Sequence, residues 1–304
     1  MAILITGGTG LIGRALITHM PQHEWIVLTR QGEAARHEVF RHLTAVSLRF
    51  IRDLSELADN EDISAIVNLV SEPIADKRWS HEQKQRIVDS RIRTTNELIT
   101  LIERLQQKPD VLVSGSAVGY YGRQGANPVT EQEQNCYDEF SHHLCAMWEA
   151  AALKANDYGV RVCLLRTGIV LSADGGALAK MLPPFKFGLG GPMASGNQYM
   201  PWIHIDDMVD AIQYLLRESR LHGPFNLCAP NPVTNRAFSR ALAKSLHRPC
   251  LFPMPEFMLR LLFGEMADLL IYGQRCIPEK LRDAGFIFNY ERVNDALNAI
   301  NGTK

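Results

Sequence analysis

Short apolar runs alternate with stretches of helical periodicity through the first two-thirds of the chain. Ala2 to Ile5, Trp25 to Leu28, Leu48 to Ile51, Ala65 to Val70, Val111 to Ser114 and Val160 to Arg166 have the length and continuity of strands buried on both faces. Between them, Leu11, Ile12, Ala15, Leu16 and His19 recur at helical spacing, as do Ile87, Ile92, Leu98 and Leu101 within a helix predicted over Ser80 to Leu105. A further helix is predicted over Glu139 to Tyr158. Strand–helix alternation of this kind forms right-handed crossovers. It predicts an α/β fold, a doubly wound parallel sheet of the Rossmann type.

After about residue 175 the pattern changes. Glycines and prolines punctuate Lys186 to Pro201, a helix is predicted from near Asp206, a strand over Phe225 to Cys228, and a helix over Asn235 to Leu246. The expected division is a Rossmann domain over 1–175, to which later segments return. A smaller lobe over 176–304 would close the cleft at the carboxyl ends of the strands.

Composition narrows the function classes. The 304 residues carry a net charge of −1, whereas a nucleic-acid or membrane-surface role would favour a basic excess. No apolar run has the length of a membrane span. Six cysteines (136, 145, 163, 228, 250 and 276) are scattered without C-x-x-C spacing. They read as reduced thiols of a cytoplasmic protein, with no metal site. Oligomeric state stays open.

The first strand runs straight into Gly7, Gly8, Thr9, Gly10, Leu11, Ile12 and Gly13. Gly8, Gly10 and Gly13 fit G-x-G-x-x-G; Gly7, Gly10 and Gly13 fit the looser G-x-x-G-x-x-G. One such glycine permits the turn, one lets the backbone approach a pyrophosphate, and one lets helix pack on strand, with the phosphate at the helix N-terminus. The second strand ends Val27-Leu28-Thr29-Arg30, with no carboxylate at its tip for a ribose. A guanidinium stays charged and donates in pairs to phosphate oxygens, so Arg30 with Thr29 beside it points to NADP(H). Glu33 is a rival ribose ligand. Asp53-Leu54 lies where adenine would rest, and Asp53 reads equally as a helix N-cap.

Several segments together carry a resemblance: Thr6 to Gly13, Asn68 to Trp79, Ser90-Arg91, Ser114 to Gly122, Arg166 to Leu171, Gly188 to Pro192 and Pro201 to Met208. They resemble the extended short-chain dehydrogenase/reductases, the NAD(P)-dependent epimerase/dehydratase superfamily. Within it the chain looks like the epimerase family proteins of the bacterial YfcH type, and residues 250–300 look like that family's terminal domain. The resemblance implies that Leu69 and Glu72, with Arg78 nearby, lie on the nicotinamide-ribose side of the cofactor. A local ion pair between Glu72 and Arg78 is the plainer role for those two, and Trp79 reads as a packing anchor.

Redox members of the superfamily use Ser or Thr, Tyr and Lys, in which a cation lets the tyrosine ionise. Ser116 supplies the serine. With Glu149 as marker, Ser141 stands at the tyrosine place and Cys145 at the lysine place, so the Tyr-x-x-x-Lys pair is absent. Tyr120 or Tyr121 is a substitute at the cleft. Cys145, on nearly the same helix face as His142, is an activated thiol or a buried packing group. His204 reads as a proton donor or as a satisfied strand-end histidine ahead of a helix capped by Asp206 or Asp207. Two functions remain open: an NADP(H)-dependent oxidoreductase or epimerase of a small carbonyl or sugar-like substrate, and a catalytically silent NADP(H) sensor or scaffold.

Overall fold

The computed structural model describes residues 2–32, 39–41 and 46–302. Glu33 lies outside the described residues. Seven strands form one sheet: β1 (Ala2–Thr6), β2 (Glu24–Leu28), β3 (Ser47–Ile51), β4 (Ile63–Asn68), β5 (Val111–Ala117), β6 (Arg161–Thr167) and β7 (Gly223–Leu227). Their order is β7-β6-β5-β4-β1-β2-β3, and every pairing is parallel. The strand order reverses between β1 and β4, which opens a crevice at their carboxyl ends. β7 returns to the sheet from the far part of the chain, pairing Phe225 with Leu165.

Alternate strand residues point to opposite faces, and each face has its own core. Ile3, Ile5, Val27, Val67, Val113, Leu165 and Phe225 pack under α1 (Leu11–His19) and a later helix, Ile205–Arg217. Leu4, Ile26, Ile66, Leu112 and Leu164 pack under α2 (His81–Arg104) and α3 (Phe140–Leu153). Burial on both faces is why these strands read as unbroken apolar runs. Ser80 begins α2 by accepting the Gln83 N–H at 3.1 Å. A third core holds Leu178, Phe185, Trp202, Phe238, Leu242 and Leu297. It joins α4 (Gly176–Lys186), α6 (Asn235–Ser245) and α8 (Val293–Asn301); α5 (Ile205–Arg217) and α7 (Glu256–Phe263) complete the longer helices. Among the described residues no helix is long and apolar enough to cross a membrane.

Candidate functional site

The glycine turn shows which of its glycines does what. Gly7 has a φ of +70°, and a Cβ there would lie 2.7 Å from the Leu69 carbonyl carbon. A Cβ on Gly13 would lie 2.4 Å from the Gly7 oxygen, so this glycine sets how closely α1 packs on β1. Gly8 is buried against Val27. Gly10 is exposed, and its N–H closes the turn onto the Gly7 oxygen at 2.9 Å. The turn thus follows G-x-x-G-x-x-G through Gly7, Gly10 and Gly13, with Gly8 packed against β2.

The first turn of α1, through Leu11, Ile12 and Gly13, has no side-chain cap and no acidic residue. Its N–H groups have no side-chain acceptor among the described residues, and an anion at this point would satisfy them. The turn therefore fits a dinucleotide pyrophosphate.

Around it lie the other expected contacts. Leu69 donates its N–H to the Thr6 oxygen at 3.1 Å. Thr29 is buried and accepts the Gln31 N–H at 3.2 Å, while Arg30 is exposed at the tip of β2. Asp53 caps the short turn Leu54–Glu56, accepting the Ser55 N–H at 2.8 Å. Glu72 and Arg78 form no ion pair among the described residues. Glu72 is tied through its backbone to Ser90 and Arg91, and Arg78 reaches across to the Leu261 oxygen of α7 at 3.2 Å. Trp79 anchors this loop, donating to the Ile74 oxygen at 2.9 Å and meeting the Phe140 ring edge-on. Lys180 of α4 closes the loop from the other side through Ala75 and Asp76.

Beneath the crevice runs a buried polar floor. Thr6, at the end of β1, donates to Asn68 at 2.7 Å, and Asn68 donates to Thr95 and Ser114. Ser116 donates to Glu149 at 2.6 Å, and Glu149 accepts both arms of Arg166 at 2.9 Å. Arg166 also donates to the Tyr121 hydroxyl at 3.1 Å, which donates to Asn226 at 2.7 Å. Burial opposes the Arg166 charge, but the Glu149 bonds outweigh it and hold the guanidinium protonated.

This floor decides what the expected catalytic side chains can do. Tyr121 is fully buried; burial pushes its phenol up despite Arg166, so it is held neutral. Burial, reinforced by Glu149, pushes the Cys145 thiol up to about 12, which makes it a protonated packing group beside Ser116 and no activated nucleophile. Ser141 donates to Glu139. His204 is itself the N-cap of α5, accepting the Asp206 N–H at 3.2 Å with its ring 3.9 Å from that of Tyr290. Neither aspartate caps that helix. Asp207 is buried and accepts the N–H groups of Asn289 and Tyr290, which ties the end of the chain to α5.

Tyr120, one residue from Tyr121, is half-buried, and its ring lies 3.5 Å from the Arg166 guanidinium. Its hydroxyl has no hydrogen-bond partner among the described residues, while its backbone oxygen meets His142 Nδ1 at 2.5 Å. Glu149 and Arg166 did not emerge from sequence as site residues. Their signal was there: a lone arginine closes the apolar run Val162 to Leu165, and a glutamate sits one turn past Cys145 on the buried helix face.

Residues 3–228 match the NAD dependent epimerase/dehydratase family. The chain belongs to that family. Residues 254–300 match a domain of unknown function, DUF1731. An Arabidopsis thaliana chloroplastic homolog of epimerase family protein SDR39U1 is 39% identical, over 99% of this chain and 86% of its own. Epimerase family protein YfhF of Bacillus subtilis is 36% identical over 99% and 98%. The crystal structure of human epimerase family protein SDR39U1 (isoform 2) with NADPH aligns with a TM-score of 0.89 at 30% identity, covering all of both chains.

Proposed function

We propose that this family member binds NADP(H) in the β1/β4 crevice and acts as an oxidoreductase or epimerase on a small carbonyl or sugar-like substrate. The observation that carries the reading is the uncapped start of α1 behind the exposed Gly10. The similarity to the human protein crystallised with NADPH supports the same cofactor. Arg30 would hold the 2′-phosphate and the turn from Gly7 to Gly13 the pyrophosphate. Leu69 and Glu72 would flank the nicotinamide ribose. The bound cofactor would supply or accept a hydride.

The usual Tyr-x-x-x-Lys pair has no counterpart here, so the proton must move through another group. Tyr120 has a phenol without a hydrogen-bond partner among the described residues, and its ring is held in place against the Arg166 guanidinium. Ser116, with its proton committed to Glu149, keeps lone pairs for a substrate hydroxyl. Within the family we infer the bacterial YfcH type, supported by the Glu72-Pro73-Ile74 to Trp79 segment and the terminal domain. The six unpaired cysteines support a cytoplasmic setting.

The test is a binding titration with NADPH and NADH, followed by turnover of aldehydes, ketones and nucleotide sugars with the bound nucleotide. Preference for NADPH and a turnover lost in Tyr120→Phe are expected. Tight NADPH binding without turnover across the panel would instead make the protein a sensor.

A further inference from the structure

We propose that the face formed by Lys186 to Gly191, α6 and Arg248 to Phe252 docks on an anionic lipid surface. Between Gly175 and Ile205, and again between Ser219 and Pro255, the chain has no Asp or Glu. These two segments hold seven of the 32 Lys and Arg and none of the 33 acidic residues. A net charge of −1 therefore conceals a strongly basic region, and the expectation drawn from the total does not apply to this face.

The fold gathers four of those seven bases into one stripe, while Lys180 lies apart, paired with Asp76. Arg236, Arg240 and Lys244 follow each other at i, i+4 and i+8 along α6, all exposed, while Phe238 and Leu242 face the core. Arg248 continues the stripe and donates to the Lys186 oxygen at 2.9 Å; Arg236 donates to the Ser195 oxygen at 2.7 Å. Both bonds go to backbone carbonyls, and no carboxylate pairs with either arginine among the described residues.

Beside the stripe stand apolar side chains with nothing over them. The backbone of 186–192 runs against that of 248–254, with Phe252 N–H on the Gly190 oxygen and Met254 N–H on the Pro192 oxygen. From this pair of segments Phe187 is 80% exposed, Leu251 69%, Leu189 59% and Phe252 56%. Large aromatic and aliphatic tips held on a glycine-rich loop and flanked on one side by cations match the surface of an interfacial binder. The tips enter the headgroup boundary, and the bases meet anionic phosphates. A second copy of the chain is the poorer occupant, since a two-fold pairing of this face would set its unpaired cations against one another. None of these residues belongs to the nucleotide turn, so the inference stands apart from the reading of the crevice.

The experiment is co-sedimentation of the full chain with vesicles of phosphatidylcholine alone and of phosphatidylcholine mixed with phosphatidylserine. Binding is expected only to the mixed vesicles and should be lost in about 1 M salt, where the screening length falls to ~3 Å. Arg240→Ala with Lys244→Ala should weaken it roughly thirty-fold at low salt. Phe187→Ser with Leu251→Ser should weaken it by at least a similar factor; both variants alter exposed positions and should keep the parent circular dichroism. Equal binding to both vesicle types, none to either, or indifference to both variants would overturn the proposal. So would a dimer in solution that Phe187→Ser dissociates, or capture by an acidic polypeptide while anionic vesicles are ignored.

Discussion

Ser116 gives its hydroxyl proton to Glu149 across 2.6 Å, and this bond makes the serine part of the floor as much as part of the crevice. Glu149 is buried with Arg166, and the pair survives because each charge finds its partner through two bonds. Removing Ser116 leaves that ion pair intact; removing Glu149 does not.

Ser116→Ala should therefore lower stability by about 1.5–3 kcal/mol, the value of one hydrogen bond to a charged group. Glu149→Ala strands a buried guanidinium and should cost about 3–5 kcal/mol. Urea unfolding of the two variants measures the difference. Equal losses would mean that the ion pair is not what holds the floor.

The turn glycines separate binding from folding. Gly13→Ala would force a methyl to 2.4 Å from a backbone oxygen that has no room to move, and should cost ~1–3 kcal/mol as well as nucleotide affinity. At Gly10 the nearest atom to an added Cβ is 3.2 Å away, and the methyl would sit on the open face. Gly10→Ala should leave the melting temperature nearly unchanged and weaken NADPH at least about tenfold. Calorimetry with and without NADPH reads both effects, and parallel losses in the two variants would contradict this division.

Much of this was legible in the chain. Five strands stood out because parallel strands covered on both faces are continuous apolar runs, whereas β3 lies at the sheet edge with Ser47 and Arg49 exposed, and the turn stood out because only glycine fits at Gly7 and Gly13. The destination of Gly223–Leu227 was not legible, since a strand's own pattern does not say which neighbour it will join. Nor could sequence choose between Tyr120 and Tyr121. Adjacent residues of one tight turn point in different directions, and only the distant partners Asn226 and Arg166 show which phenol is already bonded.

Arg30 offers a cofactor test that leaves the fold alone, because the side chain is exposed at the strand tip. A charge-assisted bond to a 2′-phosphate is worth about 1.5–3 kcal/mol. Arg30→Asp should then weaken NADPH roughly ten- to hundredfold and leave NADH almost unaffected. Paired fluorescence titrations settle it, and equal loss of both nucleotides would remove Arg30 from the phosphate site.

His204 predicts how stability responds to acid. Its ring is buried between the start of α5 and Tyr290, and burial lowers its pKa from the ordinary 6.5, with Asp206 opposing in part. Below that value the unfolded chain takes up a proton that the folded protein resists. Stability must therefore fall as pH drops from 6.5 toward the lower folded pKa, and it is fully present above 6.5. His204→Asn keeps an acceptor suited to the N-cap but cannot titrate in this range. The variant loses ring packing and should be less stable at every pH, so the slope is the relevant quantity. Between about pH 7 and 5 its melting temperature should decline less steeply than that of the parent. Identical slopes would show that His204 is protonated as readily in the folded protein as in the unfolded chain.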